Sequence, residues 1–109
     1  MTGLNSEHPI LITADPIGGV WNYALDLCRE LAPCRIALAS MGRNLTGPER
    51  AEVNHLPHVD LFESDFKLEW MADPWNDVAA AGEWLYELAE RIEARLVHLN
   101  QFSHGALDW

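Results

Sequence analysis

Apolar residues follow two rhythms along this chain of 109 residues. Short unbroken apolar runs mark strands covered on both faces, and longer stretches with apolar positions three and four apart mark helices. Pro9–Ala14 is continuously apolar apart from Thr13 and predicts a first strand. From about Gly19 to Ala32 the rhythm is helical: Val20, Ala24, Leu27, Cys28 and Leu31 share a face, while Asp26, Arg29 and Glu30 turn outward. Pro33 ends that helix. Arg35–Ser40 predicts the second strand, and residues 41–47, with Gly42, Asn44 and Gly47, a loop. Pro48 suits the first position of a short helix, Pro48–Asn54, with Thr46 or Gly47 near its cap. Val59–Phe66 alternates partially, as an edge strand with one solvated face does.

An aromatic loop follows, Lys67 to Trp75, in which Asp73 then Pro74 reads as a cap and first helical residue. The helix that begins there runs to about Ala94. Val78, Ala81, Leu85, Leu88, Ala89 and Ile92 line its inner side, and Glu83, Glu87, Glu90 and Glu93 its outer side. Leu96–Asn100 predicts a fourth strand, followed by the tail 101–109. The order β-α-β-α-β-α-β is half of a doubly wound sheet. Right-handed crossovers then predict an α/β fold of three layers, Rossmann-like, with a parallel sheet in the order 3-2-1-4. Residues 1–8 form a loose lead-in to a single domain spanning 9–109. The fourth strand would leave a long apolar edge uncovered, which predicts homo-oligomers formed by edge pairing.

Charge narrows the partners. Seven basic residues stand against 17 acidic ones, a formal net charge of −10, which argues against nucleic acid and anionic membrane. No apolar run approaches the roughly 18 residues of a membrane span. The first eight residues have neither the basic nor the apolar region of a signal peptide, so the cytoplasm is the expected compartment. Cys28 and Cys34, the only cysteines, match no zinc or redox spacing, and Cys28 is expected as a reduced thiol in the core. His55 and His58 flank Leu56-Pro57 and make a poor metal site. No cofactor is called for.

The strongest chemical signal is the junction of first strand and first helix, Ala14-Asp15-Pro16-Ile17-Gly18-Gly19-Val20. A helix start carries unpaired N–H groups and a positive dipole end, which suit an anion. Glycines there admit a ligand to the backbone. The pattern is not the dinucleotide fingerprint, and no acidic residue ends the second strand, which argues against NAD. In a 3-2-1-4 sheet the switch point lies between strands 1 and 4, so Asp15–Val20 and His98–His104 should meet there. The candidate binding residues are Asp15, Gly18, Gly19, His98, Asn100 and His104. Asp15 either closes the turn or positions a hydroxyl. His98 is either a hydrogen-bonded core residue or a cleft histidine. Trp70 and Trp75, beside Glu69 and Asp73, either pack on the sheet or stack on a sugar face. A receiver-like reading would use Asp65, near the end of the third strand, but the fifth strand with its closing basic residue is absent from the expected order.

The segment from Asp15 to Leu27, Asp-Pro-Ile-Gly-Gly-Val-Trp-Asn-Tyr-Ala-Leu-Asp-Leu, resembles the opening of family 4 glycosyltransferases of the GT-B fold. Leu-Glu-Trp-Met-Ala-Asp-Pro-Trp (68–75) and Leu-Val-His-Leu-Asn (96–100) are similar to the same family, near a bacterial branch with Gly-Gly-Val-Trp and Val-His-Leu-Asn. The resemblance covers residues from about Pro9 to Trp109. It implies transfer of a sugar from a nucleotide sugar to an acceptor. The N-terminal domain would hold the acceptor, and its Gly-Gly loop would approach the donor diphosphate. The family's donor-binding domain, with a basic pair and a Glu-x7-Glu motif, is not among these residues. The expectation is therefore a truncated acceptor-side piece, inactive alone. A stand-alone protein that self-associates through strand 4, as an interaction or weak sugar-phosphate module, is the alternative.

Overall fold

The computed structural model describes residues 8–100 apart from 18, 68–70, 72 and 74. Four parallel strands, β1 (Ile10–Ala14), β2 (Ile36–Ser40), β3 (Val59–Glu63) and β4 (Leu96–His98), form one sheet in the order β3-β2-β1-β4. Three helices, α1 (Val20–Glu30), α2 (Gly47–Asn54) and α3 (Trp75–Arg91), complete the α/β architecture among the described residues. Ile10 of β1 sits opposite Ile36 of β2 and Leu96 of β4, and Ile36 opposite Val59 of β3, so the strands start level. Their carboxyl ends consequently open on one rim.

The strands divide the core in two because side chains alternate across a sheet. Ile10, Ile12, Ala14, Ile36, Leu38 and Val59 meet Trp21, Ala24, Leu25 and Cys28 of α1 and Val53 of α2. Leu11, Ala37 and Ala39 meet Ala81, Leu85 and Leu88 of α3 on the opposite face. Both central strands are buried along their whole length, which is why they are apolar apart from Thr13 and Ser40. β3, at the edge, keeps only Val59 fully buried.

Several boundaries move for physical reasons. In α1 the buried centre is Trp21, Ala24, Leu25 and Cys28, while Val20, Leu27 and Leu31 flank it half-buried. The apolar arc is wider than one face, and the indole of Trp21 finds a distant partner, donating through Nε1 to Glu52 of α2 at 3.2 Å. β3 stops at Glu63, short of Phe66. Gly42, at φ 100°, turns the chain leaving β2 so that its N–H donates to the Phe66 carbonyl at 2.7 Å. Phe66 then leaves the sheet and packs its ring 5.7 Å from that of Trp84.

α3 begins at Trp75, and Asp73 lies two residues earlier at φ 48°, in the left-handed region and not in the extended form of a cap. Pro74 lies outside the described residues. The helix ends at Arg91 because Glu93 turns left-handed at φ 54°. The Glu93 N–H donates to Glu90 O (3.1 Å) and the Ala94 N–H to Ala89 O (2.9 Å), a Schellman closure. β4 spans three residues, so the long exposed edge expected of it is a short one.

Candidate functional site

The carboxyl rim of β1 and β4 brings together most of the described candidate residues. Asp15 follows β1 directly and is buried; its Oδ1 accepts from the Ile17 N–H at 2.9 Å. That bond closes an Asx turn, so Asp15 shapes the backbone that leads into α1. Gly19 occupies the N-cap position of α1 at φ −78° and ψ −11°, and no side chain caps the helix start. The first turn of α1 holds no acidic residue. The Gly19 carbonyl accepts the first helical bond, from Tyr23 N at 3.1 Å.

Gly19 has no conformational need to be glycine, since any residue adopts its φ and ψ. Nor is it crowded: among the described residues, a methyl group built there meets nothing within 4 Å. Its missing side chain leaves open space above the helix start.

β4 supplies the second wall. His98 is opposite Ile12 of β1 and half-buried. Its ring centroid lies 6.3 Å from that of Tyr23, the planes tilted by 37°. Tyr23 is half exposed, so the pair forms an aromatic ledge beside the start of α1. Asn100 is a fastener: its N–H donates to Thr13 Oγ1 at 2.9 Å, and its side-chain amide donates to the Thr13 carbonyl. This satisfies the buried hydroxyl of Thr13 and fixes the exit of β4 against the end of β1. Gly18 and His104 lie outside the described residues, as do Glu69 and Trp70. Trp75 is 67% exposed at the start of α3 and does not pack on the sheet.

The loop between β2 and α2 contributes a residue that periodicity alone passes over. Arg43 Nη2 lies 3.3 Å from the Pro16 carbonyl, inside the turn between β1 and α1. Its guanidinium is clamped by Glu49, with Nη1 to Oε1 at 3.0 Å and Nη2 to Oε2 at 2.9 Å, and Nη1 also donates to Asn44 O. Glu49 also completes the capping box of α2. Its Oε1 accepts from Thr46 N at 2.8 Å, and Thr46 Oγ1 accepts from Glu49 N at 3.3 Å. Hydrogen bonds from Arg43, aided by Thr46 and opposed by burial, hold the Glu49 carboxyl down at about 2. The spacing Thr46-x-x-Glu49 is the sequence signal for the box. The link to Pro16 has no local signal, because it depends on β1 and β2 being neighbours.

The cysteines are free thiols, and burial pushes Cys28 up to about 11. His58 Nε2 sits 2.7 Å from the Cys28 carbonyl, and His55 Nδ1 2.6 Å from the Ala51 carbonyl, so both rings bond to backbone. Among the described residues no three histidines, cysteines or carboxylates converge as metal ligands, and no helix is long and apolar enough to cross a membrane. The rim thus offers an uncapped helix start under open space, an aromatic ledge, and a turn held by Asp15 and Arg43. Compared with known proteins, the chain matches no family model, no curated protein and no solved structure.

Proposed function

We propose that this chain forms the acceptor-side wall of a glycosyl-transfer site, with the start of α1 facing the diphosphate of a nucleotide sugar. The observation that carries the reading is Gly19: its backbone needs no glycine, and among the described residues the space above it is open. A diphosphate leaving group gains negative charge as the glycosidic bond breaks, and backbone N–H groups at a helix start stabilise such charge. The Tyr23–His98 ledge suits the apolar face of an acceptor sugar. The resemblance of residues 15–27 and 96–100 to family 4 glycosyltransferases points the same way. The rim described is one wall of such a site, and binding to it alone is expected to be weak. The free cysteines support a cytoplasmic setting.

The test is a titration with uridine diphosphate followed by amide chemical shifts. Gly19, Val20 and Trp21 are expected to move, with uridine alone moving them far less. Gly19→Val fills the open space and is expected to weaken binding at least about fivefold with stability held within about 1 kcal/mol. Shifts scattered over the surface, or a variant that binds as well as the parent, would remove the reading.

One observation favours a second reading, self-association through β4. Leu96 is 58% exposed on the edge strand. Light scattering that finds only monomer at millimolar chain concentration sinks this alternative, and a dimer abolished by Leu96→Lys supports it.

A further inference from the structure

We propose that Arg43 is a positioning residue for the turn between β1 and α1, tying that turn to the capping box of α2. The consequence for ligand binding rests on the reading of that turn as diphosphate-facing; the tie itself does not.

The two terminal nitrogens of the Arg43 guanidinium reach four acceptors: Glu49 Oε1 and Oε2, Asn44 O and Pro16 O. Both nitrogens are occupied and the charge is answered by a carboxylate. The group is therefore poorly suited to grip a ligand and well suited to hold backbone in place. The buried Asp15 carboxylate adds attraction on the turn side. Glu49 is itself fixed at both ends, by the guanidinium and by the Thr46 N–H. An unbroken series of polar contacts thus runs from the first turn of α2 to the Pro16 carbonyl, three residues before Gly19. A planar fork is needed to span it. A lysine ammonium, a point donor on a flexible stem, cannot hold the carboxylate and the carbonyl in one plane.

This arrangement gives the turn a fixed shape without adding free positive charge. It also makes Glu49, which reaches the turn through Arg43, a determinant of the turn's rigidity.

Amide hydrogen exchange on the full chain tests the tie. Arg43→Gln is expected to speed exchange of the Ile17 and Gly19 amides roughly three- to tenfold. Leu11 and Ile12, in the centre of β1, are expected to keep their rates. Glu49→Gln is expected to speed the same two amides, and the double variant to add little beyond either single one. Arg43→Lys, which keeps the charge, is expected to fall with Arg43→Gln and not with the parent. In the uridine diphosphate titration, Arg43→Gln is expected to weaken binding about threefold or more. Unchanged Ile17 and Gly19 exchange in Glu49→Gln overturns the proposal, as does a rise shared equally by Leu11 and Ile12. Full rescue by Arg43→Lys overturns it too, because charge and not the fork would then be acting. A parent chain that binds no uridine diphosphate removes the functional reading and leaves the exchange rates to decide the tie.

Discussion

Replacing Glu49 by Gln isolates the charge in the α2 cap, because the side-chain carbonyl of Gln still accepts the Thr46 N–H that Glu49 accepts at 2.8 Å. What is lost is the negative charge facing Arg43. The folded protein holds this carboxyl at about 2, against 4.5 for the ordinary group. At face value that depression corresponds to roughly 3 kcal/mol. Arg43 is 41% exposed, so solvent screens the pair, and about 1–2 kcal/mol is the expected net stabilisation. A depressed carboxyl stabilises the fold fully above its unfolded value and loses that contribution as pH falls toward its folded value. The parent chain is therefore expected to exceed Glu49→Gln by about 1–2 kcal/mol at pH 7. The gap should narrow from pH 4.5 downward and nearly close by about pH 2. Urea unfolding of both chains at stepped pH values, followed by tryptophan fluorescence, measures the gap directly. A gap that stays constant from pH 7 to pH 2.5 refutes the charge argument. A gap absent at pH 7 refutes the pairing itself.

Two further outcomes are open to measurement. Glu93 holds a left-handed conformation that glycine adopts freely, and its ion pair with His8 is long and exposed; Glu93→Gly is expected to raise stability by roughly 0.5–1 kcal/mol in urea unfolding, and a fall contradicts the closure described for α3. Cys28 is buried and its thiol is pushed up to about 11, while Cys34 is partly accessible; iodoacetamide at pH 8 is expected to label Cys34 first and Cys28 only on unfolding, and equal rates refute the burial argument.

The central strands were legible because burial on both faces demands a nearly continuous apolar run, broken only by Thr13 and Ser40. Ile10–Ala14 and Ile36–Ser40 could hardly be otherwise. The order of the sheet followed from the handedness of crossovers, which needs no side-chain detail. The inner face of α3 was legible for the opposite reason. Its apolar stripe is narrow and bounded by Glu83, Glu87 and Glu90, so one orientation fits. α1 was harder. Its apolar arc is broad, and the choice of Trp21 and Leu25 over Val20 and Leu27 is made by α2 and the sheet. In the candidate site, Asp15 and Gly19 lie in a contiguous motif and declared themselves. The role of Asn100 depends on Thr13, 87 residues away, and that of Arg43 on Pro16, 27 away. Contacts of that span appear only when strands become neighbours.

The place of β4 beside β1 has a consequence for how the rim comes into being. Ile10 meets Ile36 across 26 positions of chain but meets Leu96 across 86. Closing the longer loop costs about 1 kcal/mol more in chain entropy, and three residue pairs along β4, with the bonds of Arg95 to Pro9 and Asn100 to Thr13, repay it. β4 is thus the strand whose docking is most easily deferred, and with it the arrival of His98 beside Tyr23. The two walls of the rim are separate objects until that event. A ligand touching both would bind only the docked form, and would draw the strand in by mass action. Recognition and the last step of folding would then be a single equilibrium.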